Sequence, residues 1–72
     1  PALPVYAIDV GVRLSGRLRD AFGDFTVSDG PAGSRLTGPV VDQAALYGVL
    51  ARLRDLGIPL VSLRLLPPDQ PV

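Results

Sequence analysis

The stretch LTGPVVDQAALYGVLARLRDLGIPLVSLRLL, Leu36 to Leu66, constrains this chain more than any other feature. It reads as a strand, a capped helix and a second strand. Asp42 stands where an N-cap belongs, with Val41 before it and Leu46 after it at the hydrophobic-staple positions. Ala45, Leu46, Val49, Leu50, Leu53 and Leu56 recur at helical spacing and form an apolar stripe. Gly57 supplies a helix stop, and Pro59 prevents the helix from continuing. In LVSLRLL, Val61, Leu63 and Leu65 fall on one side of a strand; Leu60, Ser62, Arg64 and Leu66 fall on the other.

The first half of the chain fits the same scheme. VYAIDVGVRL, Val5 to Leu14, alternates with period two. Tyr6, Ile8, Val10, Val12 and Leu14 share one face; Val5, Ala7, Asp9, Gly11 and Arg13 share the other. SGRLRDAFG follows as a short helix, with Ser15 as its cap and Gly23 as its left-handed end. Leu14, Leu18 and Phe22 lie at helical spacing, but two turns are not stable without borrowed packing. DFTVS is a second strand, DGPAGS a turn, and RLTGPV a third strand interrupted by Gly38 and Pro39, with pairing expected to stop at Pro39, which lacks an amide donor.

The order is therefore β-α-β-β-α-β. It predicts an α+β, ferredoxin-like sandwich: one four-stranded antiparallel sheet with helices on one face. Right-handed crossovers place the first and third strands in the middle and the last strand beside the first. The first helix is short enough to be irregular, and a β-β-β-α-β layout is the alternative. Residues 1–66 read as one domain, and 67–72 as a flexible Pro-rich tail. The chain opens at Pro1, which fits a small protein that has lost its initiator Met and fits a segment of a longer one equally.

A chain of 72 residues buries only about 60% of the surface its unfolded state exposes. Here 47% of the residues are hydrophobic, rich for so small a body, so apolar side chains are expected at the surface or in an interface. The seven basic residues are all Arg, the seven acidic ones all Asp, and the formal charge is zero. That balance gives no general attraction to nucleic acid or an anionic membrane. The chain has no Cys, which fits a cytoplasmic protein. No apolar run is long enough for a membrane helix.

Catalysis finds little material. With no His, Cys or Lys, Ser15, Ser28, Ser34 and Ser62 lack an activating base. The Asp residues are scattered without ligand spacing, so neither a metal nor another cofactor is expected. Arg13 and Arg64 should flank Asp9 on the uncovered sheet face as a weak ion pair. Tyr6 and Phe25 should face the helices, which argues against an RNA-stacking platform.

Interface candidates are more specific. Ala44, Gly48 and Ala51 fall together on the back of the main helix, where small residues permit close approach of another chain, and Tyr47 would rim that contact. Val5, Ala7, Leu60 and Leu66 give the second sheet face an apolar set. Face-to-face pairing of two sheets about a twofold axis is the expected use, giving a homo-oligomer, a dimer or higher. Docking on a larger protein is the other use.

Leu36 to Pro68 resembles a set of small, uncharacterised bacterial proteins that share an LTGxxxDQAALxGLLxxxRDLGxPLxS pattern. The likeness covers about half of the chain, which carries Tyr47 where His is common. It implies an independent small bacterial domain and carries no activity. A weaker similarity is to ACT-type regulatory domains, which share the element order and a strand-to-helix ligand loop. Asp42 and Leu46 would be the loop's counterparts, with Ala45 in place of Gly. The LSGRL segment, Leu14 to Leu18, is the other counterpart and lacks an acid. The expected function is a non-catalytic interaction or assembly domain. An ACT-like small-ligand module, with a concave pocket near Ser15 or Asp42, is the alternative.

Overall fold

The computed structural model describes residues 3–67. Residues 68–72, and with them most of the expected tail, lie outside the described residues. The elements are β1 (Val5–Val10), α1 (Gly16–Asp20), β2 (Thr26–Asp29), β3 (Ser34–Pro39), α2 (Gln43–Asp55) and β4 (Leu60–Leu65). The four strands form one antiparallel sheet in the order β2-β3-β1-β4. With a helix between β1 and β2, the β-β-β-α-β layout is set aside.

Cross-strand register follows the apolar alternation. Ile8 stands opposite Leu36 on one side and Leu63 on the other, while Asp9 stands opposite Arg35 and Ser62. A one-residue slip would exchange the two faces, so the buried apolar set fixes the register. Ile8, Val10 and Leu36 pack with Leu14, Phe22, Leu53 and Ile58 as the core. Leu18 of α1 and Val49 and Leu50 of α2 pack against the same cluster, so both helices serve this face.

The main helix is capped as its sequence demands. The Ala45 amide donates to Asp42 Oδ1 at 2.8 Å. At the other end Gly57 adopts φ +70°, the Gly57 amide donates to the Arg54 carbonyl, and the Ile58 amide donates to the Leu53 carbonyl at 2.9 Å. These two bonds make a Schellman motif. Ile58 and Leu53 are both buried in the core, so the cap also docks the helix. The staple is not formed as expected, because Val41 remains exposed.

The first helix departs from expectation. It spans five residues, Ser15 makes no side-chain cap bond, and its C-cap Ala21 is right-handed. Gly16, not Gly23, takes the positive φ of 55°. Leu14 and Phe22 are nonetheless core residues: the apolar spacing works as a set of anchors rather than as a helix stripe. The first strand also ends early, at Val10 rather than Leu14. There the β1–β4 register shifts, and the Gly11 amide donates to the Pro59 carbonyl at 2.9 Å. Ladder pairing runs through Gly38, opposite Tyr6, and ends at Pro39, opposite Val5, where the strand was expected to stop. Gly38 is required for a different reason, because a Cβ there would lie 2.8 Å from the Phe25 ring.

Candidate functional site

Three surface features have defined geometry. The first is β4. It is an edge strand: among the described residues it pairs with β1 alone. Leu60, Val61, Leu63 and Leu65 are 48%, 52%, 36% and 59% exposed. Leu63 and Leu65 stand opposite Ile8 and Tyr6, so they lie on the helix side of the sheet, yet the cover that buries Ile8 completely does not reach them. The other edge differs. β2 has four residues, its Thr26, Ser28 and Asp29 are exposed, and Arg19 Nη2 donates to the Val27 carbonyl at 3.2 Å. Short length and charge are the usual protections of an edge strand. β4 is longer and apolar, with Arg64 its single charge.

The second feature occupies the open face of the sheet. The Asp9 carboxylate, on a residue only 3% exposed, accepts from Arg35 Nε at 2.7 Å and Nη2 at 3.1 Å. Ser62 Oγ donates to its second oxygen at 2.7 Å. The Arg35 bonds hold the Asp9 carboxyl below its ordinary pKa; burial pushes the other way, and Ser62 and the charges of Arg35 and Arg64 add to the lowering. A carboxylate so saturated is a poor general base. The expected placement of Arg13 and Arg64 around Asp9 is corrected in part. Arg35 takes the pairing role, and Arg13 reaches Asp29 at 3.4 Å instead, because the chain has left the sheet before Arg13. Arg64 acts on Asp9 through its charge alone.

This cluster changes the expected interface. Val5 and Leu66 are half-buried neighbours, joined by the Leu66 amide to the Val5 carbonyl at 2.8 Å. Ala7 is buried between Thr37 and Arg64. The register shift takes Leu60 out of this set and puts it opposite Val10. The open face is therefore polar at its centre, and the uncovered apolar surface lies on β4. On α2, Ala44, Tyr47 and Gly48 are exposed and Ala51 is half-buried. A Cβ on Gly48 would meet nothing within 4 Å.

The third feature is a pair of hollows. One, of about 560 Å³, runs between the start of α2 and the loop before β2, lined by Phe22, Phe25, Val40, Ala45, Gly48 and Val49 among others. Arg52 borders it, with Nη1 donating to the Ala21 carbonyl at 2.7 Å and its guanidinium 5.8 Å from the Phe22 ring centre. The other, of about 380 Å³, is polar and lies by Ser15, with Arg13, Arg19 and Ser34 in its lining. Ser34 Oγ there accepts from the Leu14 amide at 2.8 Å. Among the described residues no group of three or more acidic side chains could hold a metal ion. None of their helices is long and apolar enough to cross a membrane.

Sequence reasoning missed Arg35 as the partner of Asp9 and Val61, Leu63 and Leu65 as the uncovered set. The sequence held a signal for the second in the apolar content of LVSLRLL, which puts apolar side chains on both sides of that strand. In comparisons with known proteins, no curated protein and no solved structure matches the chain. One family profile does, over residues 5–64, from the first residue of β1 to the last but one of β4. The chain thus belongs to the family described as domain of unknown function (DUF8691).

Proposed function

We propose that this chain is a non-catalytic protein-association domain of ferredoxin-like architecture, whose contact surface is the uncovered side of β4. The observation that carries the reading is the exposure of Leu60, Val61, Leu63 and Leu65 on one edge strand. The strand order, with β1 and β3 inside and β4 beside β1, supports the architecture. Contiguous exposed apolar surface marks contact sites more often than it marks idle surface. A zero formal charge favours a protein partner over nucleic acid. The saturated state of the Asp9 carboxylate supports the non-catalytic part.

The test is the size of the labelled 72-residue chain after it is added to a native extract of its own cells. An assembly larger than 7.6 kDa, lost when Val61 and Leu65 are both changed to Ser, is the expected result. A labelled chain that stays at 7.6 kDa in that extract would overturn the reading. The second reading, an ACT-like small-ligand module, draws on the polar hollow by Ser15. Two of its cations are already engaged, Arg13 by Asp29 and Arg19 by the Val27 carbonyl. Saturable calorimetric binding of an amino acid, abolished by Arg19→Ala, would favour that module.

A further inference from the structure

The outer edge of β4 is complementary to itself in one register. The Leu66 amide donates inward to Val5, and Ser62 and Arg64 keep step with Leu66 opposite β1. By strand alternation the amides and carbonyls of Leu63 and Leu65 point away from the sheet. Among the described residues they have no partner, and they form a template on the strand whose apolar side chains are exposed.

We infer that two copies of the chain join β4 to β4 in antiparallel fashion, about a twofold axis passing at Leu63, to make one eight-stranded sheet. The inference rests on the association reading and names its partner as a second copy. Three centred registers can be compared. An axis at Arg64 sets Arg64 directly opposite its mate, and like charges so placed are destabilising. An axis at Ser62 sets Leu65 opposite Pro59, outside the strand, and Arg64 opposite Leu60. An axis at Leu63 sets Leu63 opposite Leu63 and Val61 opposite Leu65, so six apolar side chains meet on the helix side. On the open face Arg64 then stands opposite Ser62 of the other copy, beside the buried Asp9 carboxylate that Ser62 contacts at 2.7 Å. Apolar pairing and charge placement select the same register. The contact is isologous and closes at two copies, because the β2 edge is short and capped by Arg19.

The experiment uses the full chain, whose lack of cysteine lets single thiols report position. Light scattering at micromolar concentration should give twice the 7.6 kDa mass, and Leu63→Asp should return it to one copy with the circular dichroism of the folded chain. Ser62→Cys, Leu63→Cys and Arg64→Cys are then oxidised separately. Facing residues of a hydrogen-bonded pair lie about 5.5 Å apart at Cα, within disulfide reach, whereas diagonal neighbours at roughly 7–8 Å are not. Leu63→Cys should cross-link at least about tenfold faster than the other two. Faster linking at 62 or 64, or a doubled mass with no linking at all three, would overturn the pairing. So would a single-copy mass throughout the concentration range, which leaves association with a different protein to be judged by the native-extract sizing.

Discussion

Arg35 stands directly across the β1–β3 ladder from Asp9 and grips its carboxylate with two bonds, Nε at 2.7 Å and Nη2 at 3.1 Å. Ser62 closes the same carboxylate from β4, so three strands meet at one buried acid. The native pKa of Asp9 is lowered, first by the Arg35 bonds. A lowered native value means the stabilisation is fully present above the unfolded pKa of about 4 and is lost as pH falls through the native one. Asp9→Asn should therefore cost on the order of 1–2 kcal/mol at neutral pH. It should also flatten the decline of stability with acid below about pH 4. Urea midpoints measured at pH 7, 4 and 3 check this. A variant whose loss is the same at all three values would show that the charge of Asp9 contributes nothing.

The Asp42 cap is a separate, local device. Its side chain satisfies the Ala45 amide at 2.8 Å, one of the donors that a helix start leaves without an internal partner. Asp42→Ala should lower stability by on the order of 1 kcal/mol. An unchanged urea midpoint with an unchanged slope would show that water replaces the cap at no cost.

The β2–β3 hairpin is fastened by a missing side chain. A Cβ on Gly33 would lie 2.5 Å from the Val12 carbonyl oxygen and 2.7 Å from the Val12 amide nitrogen. These are backbone atoms, so no rotamer change can relieve the clash. Gly33→Ala should cost about 1–3 kcal/mol, the range for forced overpacking. It should broaden the amide resonances of the loop joining β1 to α1 before those of α2. Wild-type stability in this variant would mean that the hairpin and the loop separate freely in solution.

The contrast between α2 and α1 shows what a sequence can specify. Around α2 the local signals agree except for the staple: Asp42 caps it, Gly57 takes the left-handed turn, and Leu46 and Leu53 are its buried residues, while Val41 stays exposed. Agreement between levels is what makes an element legible. Around α1 the signals compete. Ser15 is a good cap by type, but the Leu14 amide is drawn to Ser34 Oγ and the turn passes through Gly16 at φ +55°. Alternation separated Leu63 and Leu65 from Ser62 and Arg64, but it misassigned Leu60, which the register shift sets opposite Val10, and it could not say which face is roofed. That depends on how far the helices extend across the sheet, a tertiary fact. The Asp9–Arg35 pair was hidden for a related reason. Reading the first strand through to Leu14 kept Arg13 on the sheet, whereas the chain leaves the sheet after Val10.

Two glycines of the α2 region offer the same chemical change with opposite expected signs. Gly48 lies inside the helix with open space where its Cβ would be. Alanine there gains helix propensity, about 0.5–1 kcal/mol, without meeting a neighbour. Gly57 sits at φ +70°, where an L side chain is strained, and its amide closes the cap on the Arg54 carbonyl. Alanine there should destabilise by about 1 kcal/mol or more. Urea melts of Gly48→Ala and Gly57→Ala should thus shift their midpoints in opposite directions with equal slopes. The Gly48 variant has a second use. If the Ala44, Gly48 and Ala51 face is a contact, the added methyl weakens association while it stabilises the single chain. If contact is confined to β4, the mass by light scattering is unchanged. A lowered midpoint for Gly48→Ala would contradict the open space above that position and place a packed neighbour there.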